Sequence, residues 1–385
     1  MLFGRGFKLG TIGGITIRVD YSWFIIFGLL VFLLASQFPY LPSVSKYHIA
    51  PIWYWVVAVL TAVLFFASVL GHELSHAVVA RKNGIPINNI TLFLLGGAAQ
   101  MEDEPPTAWD EFKMAIVGPI ASIIIGLFFF GLVWITRGFG SILLVYAFGY
   151  LGIINIVLAV FNLLPGFPMD GGRVFRAILW GATGNLVRAT QIASITGQAF
   201  GLAFIAFGVL SVFYPPLRGY ISNGLWLALI GWFLFSAARS SYQQVVIREA
   251  LRHIPVENIM NPSVIMVPAN ISVDHLVTEY FLRESPSTLP VEQNGELLGT
   301  VNVDDVRAVP REQWGTTLVS EIVHPMQEAQ VLHPENDAWD AANRLSQSTD
   351  DGVLVTENRH VEGIVTRGSI MRWLQTHTRL APGQA

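Results

Sequence analysis

Gly71-His72-Glu73-Leu74-Ser75-His76 closes the apolar run 52–70. On a helix, His72 and His76 stand four positions apart, so both imidazoles leave one face, one turn above the other. That spacing suits two ligands of a tetrahedral Zn²⁺, and Glu73 beside them is placed to act as general base on water. The surroundings sharpen the reading. Before His253 the chain has one other histidine, His48, in an expected loop. Within the apolar part the carboxylates that stand out are Glu73 and, much later, Asp170. Ionisable groups at membrane depth are costly to bury and mark function. The plainer alternative is a pair of helix-end histidines meeting lipid headgroups, with Glu73 paired to a lysine.

Composition supports a membrane setting for this helix. Of 385 residues, 52% are hydrophobic and 13% charged, well under the usual quarter for soluble domains. The charge is unevenly divided: 1–246 carry thirteen Lys/Arg against eight Asp/Glu, and 247–385 carry ten against nineteen. All four lysines lie in the first part. The chain therefore reads as an apolar membrane domain (1–246), a linker (247–253) and an acidic soluble domain (254–380). An acidic, lysine-free second part argues against nucleic acid as a partner. With no cysteine, a metal has only His and carboxylate to bind it. The stretch 7–19 is Gly-rich and β-like, a small hairpin about Gly13-Gly14, rather than a signal peptide.

Six apolar stretches follow, near 21–36, 52–80, 112–135, 142–164, 189–212 and 224–238. Basic residues alternate across them. Arg5, Lys8, Arg18, Arg81, Lys82, Lys113, Arg173, Arg176, Arg188, Arg239, Arg248 and Arg252 fall on one side, and Lys46, Arg137 and Arg218 on the other. The positive-inside rule then places both termini in the cytoplasm, in a prokaryotic cell membrane by default. His72 and His76 lie roughly 8–14 Å inward of the Arg81-Lys82 boundary at 1.5 Å per residue.

Two segments beyond the histidine helix carry further chemistry. Residues 85–100 read as strand with a Gly96-Gly97 break, either a sheet edge that takes up an extended peptide as an added strand or an ordinary connecting hairpin resting on the membrane surface. The segment Asn162-Leu163-Leu164-Pro165-Gly166-Phe167-Pro168-Met169-Asp170-Gly171-Gly172-Arg173 cannot continue a regular helix. A helix broken at membrane depth is tolerated where backbone lines a cavity or is buried in protein. Asp170 then precedes an expected short helix, 173–180, as its N-cap or as the third metal ligand. A two-histidine site needs completion, which favours the ligand. Asn162 is placed to offer its amide to a substrate backbone or to satisfy the groups that the broken helix frees. Beyond 247 a repeat with a period near 64 pairs Gly299-Thr300-Val301 with Gly363-Ile364-Val365, giving two α/β copies (254–312 and 318–378) that stack into one module.

Together, His72-Glu73-x-x-His76, Asn162-x-x-Pro165-x4-Asp170-Gly171 and the order of spans resemble the site-2 protease family, the intramembrane zinc metalloproteases (peptidase M50). The repeat resembles a pair of CBS domains, the mark of one branch of that family. The resemblance implies a six-helix polytopic membrane protein with small β elements, followed by a soluble tandem CBS module. It implies one Zn²⁺ per chain on His72, His76 and Asp170, with Glu73 as catalytic base. Asn162 and Pro165 would meet substrate, and Gly96 and Gly97 would belong to the strand-forming segment near the active site. The substrate it implies is a transmembrane segment of a single-span protein, such as a membrane-held transcription factor or anti-sigma factor. CBS pairs bind adenine nucleotides through Gly-x-x-Ser/Thr-x-x-Asp. Here the copies read Gly299-x-x-Asn302-x-x-Asp305 and Gly363-x-x-Thr366-x-x-Ser369, so Asp305 and Thr366 are the residues that keep the signature. The module would bind a nucleotide or serve to form a homodimer. The rival class is a CBS-regulated transporter or channel, which explains the broken helix but not the H-E-x-x-H spacing.

Overall fold

The computed structural model describes residues 6–41, 44–93, 96–101, 104–138, 141–214, 224–284, 288–325, 331–347, 352–357 and 360–380. Arg5 and Arg218 of the orientation argument, Leu94 and Leu95 of the strand-like segment and the tail 381–385 lie outside them. The chain divides into two compact units, Met1–Gln243 and Gln244–Ala385.

In the first unit, strands β1 (Gly6–Ile12) and β2 (Ile15–Asp20) form the expected hairpin. Gly13 and Gly14 turn it with φ of 57° and 77°, a left-handed pair that glycine adopts without penalty. Helices α1 (Ser22–Gln37) and α2 (Pro51–Lys82) follow. Pro51 opens α2 where its missing N–H costs nothing, and Arg81 and Lys82 close it at the negative end of the helix dipole. Strands β3 (Ile87–Phe93) and β4 (Gly96–Met101) come next. Then come α3 (Ala108–Arg137), α4 (Ile142–Asn162), α5 (Asp170–Thr183), α6 (Leu186–Phe213) and α7 (Gly224–Leu251).

Five helices among the described residues are long and apolar enough to cross a membrane: Ser22–Tyr40, Pro51–Lys82, Ala108–Arg137, Ile142–Asn162 and Leu186–Phe213. Their large apolar side chains point outward, as with Leu127 and Phe128 at 60% and 61% exposure, the pattern of helices that face lipid rather than water. The sixth expected stretch, 224–238, forms the first half of α7, and Arg239, Arg248 and Glu249 make its second half polar.

The hairpin and the strand-like segment, read separately from sequence, form one sheet of order β1-β2-β3-β4. Its central pair is parallel, with Thr16 opposite Asn89 and Val19 opposite Leu92. Ile15, Ile17, Ile87 and Ile90 of the sheet pack with Ala77 and Ala80 of α2 and Met114 of α3. Arg81 donates from Nη1 to the Gly13 carbonyl at 2.5 Å and from Nη2 to that of Gly14 at 3.2 Å, fastening the hairpin turn to the end of α2. The sheet is thus held at the end of α2 that carries the histidines. β4 is its edge strand, pairing β3 on one side.

In the second unit the two copies exchange their leading segments. Strands β5 (Val267–Pro268), β6 (Thr288–Gln293) and β7 (Glu296–Asn302) are joined by β8 (His324–Pro325), which belongs to the start of the second copy. Conversely, Asn261 bridges to Ile364 of β10 (His360–Thr366), whose partner is β9 (Gly352–Glu357). Two cores result. Val319, Ile322 and Val323 pack into that of the first copy, and Val256 and Ile259 into that of the second.

Candidate metal centre

Every group of the site is delivered by a helix or its first turn. His72 and His76, on α2, are 4% and 8% exposed. Asp170 is the first residue of α5; the N-cap is Met169, and the Asp170 side chain does not cap the helix. It reaches α2 instead, with Oδ2 3.0 Å from Nε2 of His72 and 3.2 Å from Nε2 of His76. The two Nε2 atoms are themselves 3.2 Å apart. One donor atom from each of the three residues therefore converges on one point.

The outer ring nitrogens explain why these atoms suit a cation. Nδ1 of His76 lies 2.6 Å from the Met114 carbonyl, which only accepts, so this nitrogen carries the hydrogen and donates it. Nδ1 of His72 is hydrogen-bonded to Ser122 Oγ at 2.9 Å. In neutral His76 the inner Nε2 then bears a lone pair, and neutral His72 does the same when its Nδ1–H donates to the serine hydroxyl. In that arrangement two lone pairs face a carboxylate oxygen in a buried place, acceptor against acceptor, which a cation resolves. Ligands at the 2.0–2.1 Å usual for zinc, tetrahedrally disposed, stand about 3.3 Å from one another. The observed 3.0–3.2 Å separations fit that set.

Glycines make this closeness possible. A Cβ on Gly118 of α3 would sit 2.2 Å from Nε2 of His76 and 2.8 Å from Cε1 of His72. A Cβ on Gly171 would meet the Leu163 carbonyl carbon and oxygen at 2.3 Å, and one on Gly197 of α6 the Phe167 oxygen at 1.9 Å. The backbone of the broken segment at Leu163, Gly166 and Phe167 is thus packed directly against α5 and α6, which sets where α5 starts and where Asp170 lands.

Glu73 is half-buried on the same helix. Gly97 of the edge strand β4 abuts it, since a Cβ there would lie 2.6 Å from Glu73 Cγ. The neighbouring Gly96 takes φ of 138°. Asn162, the last residue of α4, is half-buried, and Pro165 is exposed in the turn that follows. Among the described residues neither is hydrogen-bonded to the three donors. In the second unit, Asp305 Oδ2 accepts from the Asn302 N–H at 2.8 Å in a capping box, and Oδ1 lies 2.6 Å from His324 Nε2. Thr366 Oγ1 accepts from the Ser369 N–H at 3.1 Å and Ser369 Oγ from the Thr366 N–H at 3.0 Å.

Sequence reading missed three contributors, all on α3. The Met114 carbonyl and Ser122 hydroxyl leave no mark in a single sequence. Gly118 does leave one, because Gly118-Pro119 interrupts an otherwise apolar span.

Family models match both halves of the chain. The model of peptidase family M50 matches residues 60–143 and 140–205, which include both histidines and the segment 162–173. The CBS domain model matches 256–312 and 319–376. The chain is 33% identical to sll0528 of Synechocystis, provisionally named a zinc metalloprotease, over 96% of this chain and 95% of that one. The chain belongs to peptidase family M50. Zinc metalloprotease MJ0392 of Methanocaldococcus jannaschii is 30% identical over 80% of this chain and 83% of its own. A site-2 protease structure from the same organism is 31% identical, covers 62% of this chain and 95% of its own, and superposes with a TM-score of 0.42. As an M50 protein with five apolar helices among the described residues, the chain is an integral, multi-pass membrane metalloprotease carrying a CBS pair, and the transporter alternative falls away.

Proposed function

We propose that this M50 protein is an intramembrane zinc endopeptidase that cuts a transmembrane segment of a single-span partner protein. The observation that carries the reading is the convergence of His72 Nε2, His76 Nε2 and Asp170 Oδ2 within 3.2 Å of one another, beside Glu73. His72, His76 and Asp170 hold one Zn²⁺. The bound zinc supplies Lewis acidity, making water a better nucleophile near neutral pH and polarising the scissile carbonyl. Glu73 takes the proton from that water and returns it to the leaving amide nitrogen, which completes hydrolysis without net proton change. The hydrogen bond from His76 to the Met114 carbonyl fixes that ring's tautomer, and the contact between His72 Nδ1 and Ser122 Oγ orients the other ring.

A helical substrate hides its carbonyls in its own hydrogen bonds, so it must unwind before it can be cut. The outer edge of β4, which pairs with no further strand among the described residues, supports extended binding, because main-chain groups beside Gly97 can pair an added strand directly alongside Glu73. Asn162 and Pro165, at the break between α4 and α5, contact the unwound segment in this reading. Substrates of the membrane-held transcription factor or anti-sigma factor type fit a site on the cytoplasmic side of a prokaryotic cell membrane, with both termini cytoplasmic. Residues 1–246 form the protease domain, and the CBS pair, 254–380, regulates it by binding an adenine nucleotide at Asp305 and Thr366 and by pairing two chains. Light scattering of the detergent complex, with and without AMP, reads the pairing. Glu73→Gln tests the chemistry: zinc is retained and cleavage of a reconstituted single-span substrate is lost. A variant that cuts at the wild-type rate removes Glu73 from the mechanism.

A further inference from the structure

Three charges next to the metal centre have no part in the chemistry above. Arg176 of α5 is 2% exposed and Glu111 of α3 is fully buried. Arg176 donates from Nε to Glu111 Oε1 at 2.7 Å and from Nη2 to Glu104 Oε2 at 2.8 Å, and Nη2 also bonds Glu111 Oε1. Its guanidinium lies 5.3 Å from the centre of the Phe167 ring, in the broken segment. Glu111 Oε2 has no hydrogen-bond partner among the described residues.

Such a cluster is a poor way to gain stability. Desolvating two carboxylates and a guanidinium costs as much as their attraction returns, and apolar side chains of similar volume fill such places at least as well. What the cluster does have is position. On α3, Glu111 stands seven and eleven residues before Gly118 and Ser122, on one stripe of the helix, and three before Met114. That stripe orients both histidine rings. On α5, Arg176 lies six residues, about 9 Å, beyond Asp170. Glu104 lies between β4 and α3. A planar fork held by two carboxylates fixes direction as well as distance, which a lysine ammonium does not.

Resting on the zinc reading above, we infer that Arg176 is a positioning residue: its clamp on Glu111 and Glu104 locks α5 against α3 so that the Asp170 carboxylate meets the two histidines. The test uses the full-length, detergent-purified protein and two variants. Arg176→Lys keeps the charge and loses the fork. The double variant Arg176→Met with Glu111→Met removes both charges at similar volume. Three quantities are measured: melting temperature, zinc affinity by chelator competition, and the visible spectrum of the Co²⁺-loaded site, which reports ligand geometry.

Both variants should fold, bind zinc about tenfold to a hundredfold more weakly, as lost supporting contacts do, and show a changed cobalt spectrum. Wild-type affinity and spectrum in either folded variant overturn the inference and leave the zinc reading standing, even where the melting temperature drops. A wild-type protein that binds neither zinc nor cobalt overturns both.

Discussion

Gly118→Ala changes one hydrogen to a methyl and should cost the protein its metal. The added Cβ would stand 2.2 Å from His76 Nε2, 2.5 Å from its Cε1 and 2.8 Å from His72 Cε1, where ordinary contact begins at 3.4 Å. The His76 nitrogen must therefore retreat by about 1.2 Å, the difference between 3.4 and 2.2 Å. A zinc–nitrogen bond is about 2.0–2.1 Å, so a shift of that size breaks it. The ring cannot simply slide away, because its other nitrogen is fixed to the Met114 carbonyl at 2.6 Å on the same helix. Moving α3 instead breaks that bond and leaves the ring unoriented. Lost supporting contacts cost about 10–100-fold in metal affinity, and a displaced ligand should cost about a hundredfold or more. The fold should survive, since one extra methyl in a packed interior costs about 1–3 kcal/mol. Chelator competition on the purified protein measures the affinity, and thermal unfolding measures the fold. Gly131→Ala on the same helix is the control, because a Cβ there meets nothing within 4 Å. Wild-type zinc affinity in a folded Gly118→Ala protein would refute the site as described.

Three further outcomes follow from named contacts. Glu73→Gln should keep zinc and lower the cleavage rate by about 10²–10⁴-fold, the usual worth of a positioned acid–base group, in a reconstituted proteolysis assay. Gly97→Ala, which places a Cβ 2.6 Å from Glu73 Cγ, should slow cleavage about tenfold or more at unchanged zinc affinity, because it disturbs the base and not the ligands. In the second unit, calorimetric titration with AMP should show binding that Asp305→Asn weakens about tenfold, while His324→Ala, which frees Asp305 Oδ1 from its partner at 2.6 Å, strengthens it. Equal AMP affinity in all three proteins would remove Asp305 from the nucleotide site.

What could be read from one sequence was whatever has a period or a forced partner. His72 and His76 share a face because helices repeat every 3.6 residues, and Asp170 stands out because a two-histidine site lacks a third ligand. The hairpin turn announced itself in Gly13-Gly14. The joining of β2 to β3 was hidden, because parallel pairing links strands some seventy residues apart and leaves no local pattern. Glu111 is not legible, because the apolar pattern of the third stretch starts at Phe112; the helix begins four residues earlier and draws the carboxylate inside with Arg176. Thr107 sets that earlier start, its Oγ1 accepting from the Asp110 N–H at 3.1 Å as an N-cap. The copy-to-copy exchange in the second unit, β8 onto β7 and Asn261 onto β10, likewise depends on pairing between distant segments rather than on either copy's own pattern.

Metal content of the purified protein tests the central claim most directly, because it needs no substrate. The account predicts about one zinc per wild-type chain and almost none in His72→Ala and Asp170→Ala, residues 98 positions apart that share one site. A wild-type chain that stays metal-free after zinc is added back, or an Asp170→Ala protein that keeps its zinc, would contradict it.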